Sequence, residues 1–238
     1  MSVSLVALNH SSHFEYWASC INQIGLGSEI NYSEINLLEL WEVRSSFNWD
    51  EEIHSIIEEQ KTQTLIILAY GCGAFLLQKW LKSNQHFVSK LKVHAILIDS
   101  PPLSSWQNEN PLEDLIKMDR STYKNKVLET LAEQSAPKEW LDSITSNTNY
   151  LKSLLIEIHQ KTQTINDDEP LVPLLEEWHE IRSTSLPTSS ANILKKQRKS
   201  LPTWHTIELL GPNLPLFPIP NLTPHIQRII TDILYRSK

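Results

Sequence analysis

The chain has 238 residues, 40% of them hydrophobic and 21% charged, which suits one globular domain or one core carrying an insertion. A net charge of −7 disfavours nucleic acid as a partner, and the run Lys195-Lys196-Gln197-Arg198-Lys199 reads as a solvated helix face. Cys20 and Cys72 are too few and too far apart for a disulfide framework, and Met1-Ser2-Val3-Ser4 lacks the basic segment of a secretory signal, so a soluble cytoplasmic protein is expected. The longest apolar run, Leu65 to Leu77, is too short to cross a bilayer.

Val3 to Leu8 is an apolar run that reads as a first strand, broken by Asn9-His10-Ser11-Ser12. Phe14 to Ile24 follows as a helix with Trp17 and Ile21 on one face, and Gly25, Gly27 and Ser28 mark a loop. Ile35 to Trp41 reads as a second strand, and Asp50 to Glu59 as a helix with Ile53, Ile56 and Ile57 on its stripe. The stretch from Thr64 to Trp80 is the most informative. Leu65 to Ala69 is wholly apolar, as a strand covered on both faces requires; Gly71 and Gly73 allow a tight turn; Phe75, Leu76, Leu77 and Trp80 then recur at helical spacing. Leu91 to Ile98 is a further strand, ending in Asp99-Ser100-Pro101-Pro102. Strands and helices alternating in this way predict a mostly parallel sheet with helices on both faces.

From 103 to 170 the pattern is helical: Leu112 to Met118, Tyr123 to Gln134, Lys138 to Ile144 and Tyr150 to Gln160 carry helical periods, closed by Asn166-Asp167-Asp168-Glu169-Pro170. This segment reads as a helical lid inserted into a core made of residues 1–102 and 171–238. Leu171 to Arg182 reads as another helix, Ser190 to Ser200 as a helix, Thr203 to Leu210 as a strand, and Thr223 to Tyr235 as a closing amphipathic helix.

The strand, small-residue turn and helix around Ala69-Tyr70-Gly71-Cys72-Gly73 have the order of a nucleophile elbow, whose pattern is small-x-nucleophile-x-small. With Leu5 to His10, Ile98 to Pro102 and Leu209-Leu210-Gly211-Pro212-Asn213 at their respective places, the chain resembles an α/β-hydrolase end to end. It is similar in particular to the small-lid esterases typified by the pimeloyl-[acyl-carrier protein] methyl ester esterase. The resemblance implies a strand and oxyanion loop at Leu5 to His10, an elbow at Ala69 to Ala74, and a histidine-bearing loop at Leu209 to Asn213.

The resemblance also places three catalytic seats, and none holds a catalytic side chain. Gly71 occupies the nucleophile's seat and Asn213 the histidine's. The segment Ser183-Thr184-Ser185-Leu186-Pro187, where the acid should lie, has no carboxylate, so Ser183 marks a degenerate third seat. Glycine cannot attack and asparagine cannot take the nucleophile's proton.

Two residues could carry displaced chemistry. Cys72, one residue past the vacant seat, is a nucleophile if the turn activates its thiolate, and otherwise a small residue at a helix start. Asp99 is either a displaced acid or a loop carboxylate. Asn9, His10, Ser11, Tyr70 and Trp106 are expected around the cleft and oxyanion loop. His54, His86, His94, His159 and His179 show no ligand spacing, His205 falls in a strand and His225 in a helix, and no phosphate loop is present, so no metal and no cofactor are expected. The expected function is that of an α/β-hydrolase-fold protein that has lost hydrolysis and binds a protein partner or a small acyl- or ester-like ligand. The alternative is an ester or thioester hydrolase using Cys72.

Overall fold

The structure, a computed structural model, describes residues 2–9, 30–36, 49–70, 77, 80–81, 84–98, 117–133, 177–183, 204–209 and 222–237. Its strands are β1 (Val3–Asn9), β2 (Ile30–Asn36), β3 (Thr64–Tyr70), β4 (Lys92–Ile98), β5 (Glu177–Ser183) and β6 (Trp204–Leu209). Its helices are α1 (Trp49–Glu59), α2 (Gln85–Val88), α3 (Arg120–Glu133) and α4 (Leu222–Ser237).

The six strands form one sheet in the order β2-β1-β3-β4-β5-β6, and every neighbouring pair is parallel. Parallel strands must have both faces covered, because their crossover connections lie over the sheet. The apolar runs of β1, β3 and β4 meet that demand: Leu5 to Leu8, Leu65 to Ala69 and Val93 to Ile98 are all buried.

Alternation along each strand divides these residues between two cores. Leu5, Ala7, Ile66, Leu68, Ile96, Ile98 and Ile181 pack beneath Leu222, Ile226, Ile229, Ile230 and Ile233 of α4. Val6, Leu8, Leu65, Ile67, Val93 and Leu97 pack on the other face beneath Ile53 and Ile57 of α1, with Leu77, Trp80 and Trp178. The amphipathic stripes read at α1 and α4 therefore help to cover the two faces of the sheet.

α1 is closed by a local device. Lys61 takes a left-handed φ of 49°, and the Thr62 and Lys61 N–H groups donate to the Ile57 and Glu58 carbonyls. That reversal satisfies carbonyls left without helical partners and aims the chain into β3.

Two assignments are corrected. β2 starts at Ile30 rather than Ile35. It is an edge of the sheet, half-buried at Tyr32, Ser33 and Glu34, so it carries no apolar run to mark it. β5 occupies Glu177–Ser183, inside the stretch read as a helix from Leu171 to Arg182. Trp178 and Ile181 stand three apart, as on a helix, but face opposite cores here. Pairing with both β4 and β6 outweighs the local period.

Within 103–170, α3 begins at Arg120 rather than Tyr123. Asp119 caps it, accepting from the Ser121 N–H at 2.9 Å and the Thr122 N–H at 3.0 Å. The other helices expected there, and those at Phe14 to Ile24 and Ser190 to Ser200, lie outside the described residues.

Candidate functional site

The sheet order places a topological switch point between β1 and β3. The chain moves outward from β1 to β2, then returns to pair β3 on the opposite side of β1. In an open parallel sheet, the diverging connections at such a point leave a crevice outside the carboxyl ends of the strands, where ligands bind.

Asn9 ends β1 beside Asn36, with Leu8 in register with Ala69, and Tyr70 ends β3 in register with Ile98. Ser183 ends β5 in register with Leu209. Asn9, Tyr70 and Ser183 are thus brought to the same end of the sheet. Gly71, Cys72, His10, Ser11, Asp99, Trp106 and Asn213 lie outside the described residues. Gly71 and Asp99 directly follow the last residues of β3 and β4 in sequence.

The opposite end of the sheet holds a cluster that no sequence motif signalled. His94 of β4, Glu177 and His179 of β5, and His205 of β6 belong to the strand faces beneath α4, at the amino ends of three adjacent strands. Arg236, in the last turn of α4, forks onto Glu177: its Nη2 donates to Oε2 at 2.8 Å and its Nη1 to Oε1. His179 Nε2 lies 3.1 Å from Glu177 Oε2, His94 Nδ1 3.6 Å from Oε2, and His205 Nε2 3.9 Å from Oε1. The His179 and His205 rings stack with centroids 5.1 Å apart.

Burial pushes the Glu177 carboxyl up, but the hydrogen bonds from Arg236 and His179, with their charges, bring it below the usual carboxylate range. With that carboxylate ionised and able only to accept, the neutral His179 ring carries its proton on Nε2 and donates it. Burial holds the His179 imidazole below its ordinary value, and the positive charges of His205 and Arg236 act in the same direction, against the pull of Glu177.

A cavity of about 530 Å³ lies between β5, β6 and α4, lined among others by His179, His205, Arg228, Asp232, Tyr235 and Arg236. Among the described residues no group of histidine, cysteine and carboxylate side chains could hold a metal. No described helix is long and apolar enough to cross a membrane.

The signal for this cluster is strand parity: His94 alternates with Ile96 and Ile98, His179 with Ile181, and His205 with Ile207. It becomes visible only once β5 is known to be a strand.

No protein-family model matches the sequence, and no curated protein matches it. Solved structures do resemble it. The RedJ thioesterase of the prodiginine pathway of Streptomyces coelicolor has a TM-score of 0.63 at 14% identity, covering 95% of this chain and 85% of that one. Human thioesterase 2 has a TM-score of 0.56 at 12% identity, covering 99% and 95%. The esterase RhEst1 from Rhodococcus sp. ECU1013 has a TM-score of 0.60 at 12% identity, covering 98% and 90%. At such identities the likeness shows the fold alone. Sheet order, parallel pairing, helices on both faces and these neighbours agree: the chain has the α/β-hydrolase fold.

Proposed function

We propose that the chain is an α/β-hydrolase-fold protein without hydrolytic activity, which binds a small acyl-like ligand or a partner protein at the carboxyl end of its sheet. The observation that carries this reading is where β3 stops. The strand ends at Tyr70 beside the switch point, and the next residue in the chain, at the elbow's nucleophile seat, is Gly71. The ends of the later strands support it. β5 stops at Ser183, and Thr184 to Pro187 contain no carboxylate; β6 stops at Leu209, with Asn213 at the histidine's seat. In this order the chain follows the small-lid esterases, with residues 103–170 in the place of their lid. The carboxylate and imidazole that activate a nucleophile are missing from the positions that would bring them to it.

The test is hydrolysis of short p-nitrophenyl acyl esters and of an acyl thioester by the wild type and by Cys72→Ala, beside alkylation of the thiol near neutral pH. No turnover above the Cys72→Ala control, together with an unreactive thiol, is the expected result. Turnover that disappears in Cys72→Ala would replace this reading with a cysteine-dependent ester or thioester hydrolase.

A further inference from the structure

The cluster at the amino ends of β4, β5 and β6 joins the sheet to the last turn of the C-terminal helix through one carboxylate. Glu177 receives both arms of Arg236 and the His179 ring, and His94 and His205 stand within 4 Å of it. We propose that the three histidines make the Glu177–Arg236 clamp a pH-sensitive latch, which holds the end of α4 on the sheet at neutral pH and releases it on acidification.

The physical reason is competition for a single negative charge. Among the described residues, the charged groups that line the cavity or meet Arg236 at neutral pH are Arg228, Asp232 and Arg236 of α4 and Glu177 of β5. Glu177 is the carboxylate that meets Arg236; the side chain of Glu177 is 13% exposed and that of Arg236 51%, so water screens the pair from the arginine side only. Protonation of His94, His179 and His205 brings up to three imidazoliums onto the same carboxylate. It also sets two of them face to face at 5.1 Å, within one cavity shared with Arg228 and Arg236.

His179 is buried, so its charged form is favoured only if water reaches it. α4 is the element over that face, and the cavity beside it already opens toward His205, whose side chain is 58% exposed. Lifting the last turn of α4 hydrates His179, separates Arg236 from the imidazoliums and lets water screen the stacked pair, which stays in register on β5 and β6. Arg236 Nε also donates to the Asp232 carbonyl at 3.2 Å, so loss of the clamp frees a side chain that caps its own helix end.

Amide hydrogen exchange of the full chain tests this, read as protection factors so that the intrinsic effect of pH on exchange is divided out. At about pH 5.5, compared with about pH 7.5, residues 229–237 should lose protection roughly tenfold, while α1 keeps its own. The His179→Gln/His205→Gln double variant should show no such loss. If that variant fails to fold, His205→Gln replaces an exposed ring and should by itself reduce the loss. The proposal is overturned by an unchanged α4 end in the wild type, by an equal loss of protection in α1 and α4, or by an unaltered response in the folded histidine variants.

Discussion

The two ends of the sheet are built on opposite plans. At the amino ends, polar side chains bond to one another. In β1, Ser4 Oγ donates to Gln60 Oε1 at 2.6 Å and lies 2.5 Å from Thr62 Oγ1, which must therefore supply the proton between those hydroxyls. Gln60 Nε2 continues to Ser33 Oγ at 3.1 Å, tying β1, β2 and the loop after α1 together. At the carboxyl ends, the last described side chains of β1, β3 and β4 are Leu8, Ala69 and Ile98, all buried and apolar. The polar candidates at this end, Asn9, Tyr70 and Ser183, are the last residues of their strands or follow them in sequence. One end thus spends its polar groups on holding the sheet closed, while the other leaves them to the connections at the switch point. A protein can lose a catalytic triad at the second end and keep its fold, since the bonds that close the sheet lie elsewhere.

The largest effect should come from a change that removes both ends together. Trp178 is buried under the α1 face in the middle strand of the β4–β6 half, and Trp178→Ala should destabilise the protein by about 3–5 kcal/mol in urea denaturation, abolishing ligand binding with it. Glu177→Ala strikes the amino end alone. It leaves Arg236 and His179 without their common acceptor and should destabilise by about 1–3 kcal/mol, less than a fully buried pair because half of Arg236 is in water. Binding at the carboxyl end should survive that change, and a parallel loss would mean the two ends are not separate.

Acidification dissects the amino end further. His179 is held below its ordinary value of 6.5 in the folded chain, so the unfolded chain binds its proton first. Stability is then fully present above that pH and is lost as pH falls below it. Glu177, held below its ordinary 4.5, adds a second loss at still lower pH. Urea midpoints measured across this range should fall in two steps, and the upper one should vanish in His179→Gln.

Smaller effects are expected from local changes. Asp119 caps α3 in the connection between β4 and β5, and the hydrogen bond from Thr122 holds its carboxyl below the usual range. Asp119→Ala should lower helix content by circular dichroism and leave the urea midpoint of the sheet nearly unmoved. Cys72→Ala should change neither stability nor hydrolysis measurably. A clear fall in hydrolysis would favour the cysteine-dependent hydrolase over the proposed loss of activity, and a clear fall in stability would give that thiol a structural role.

Legibility in the sequence followed how local each cause was. β1, β3, β4 and the C-terminal helix could be read because burial of both sheet faces demands continuous apolar runs, and a covering helix demands a stripe such as Ile226, Ile229, Ile230 and Ile233. β5 could not, because Glu177, His179 and Glu180 are polar yet nearly buried, and the partners that make this acceptable come largely from elements distant in sequence, Arg236 of α4 for Glu177 among them. Thr206 Oγ1, donating to Glu180 Oε2 at 3.3 Å, is one such partner. For the same reason His94, His179 and His205 showed no pattern: they are far apart in the chain and meet only through parallel register.

The order of apolar runs, turns and stripes was enough to settle the α/β architecture, and the residue types at Gly71, Ser183 and Asn213 were enough to motivate the proposal that the catalytic seats are vacant. Those properties belong to single segments and to their succession. That β5 is a strand, that Arg236 reaches back to Glu177, and that three histidines face one carboxylate depend on which strands become neighbours and in what register. Hydrogen bonding and burial across the whole sheet select that arrangement, and no local pattern encodes it.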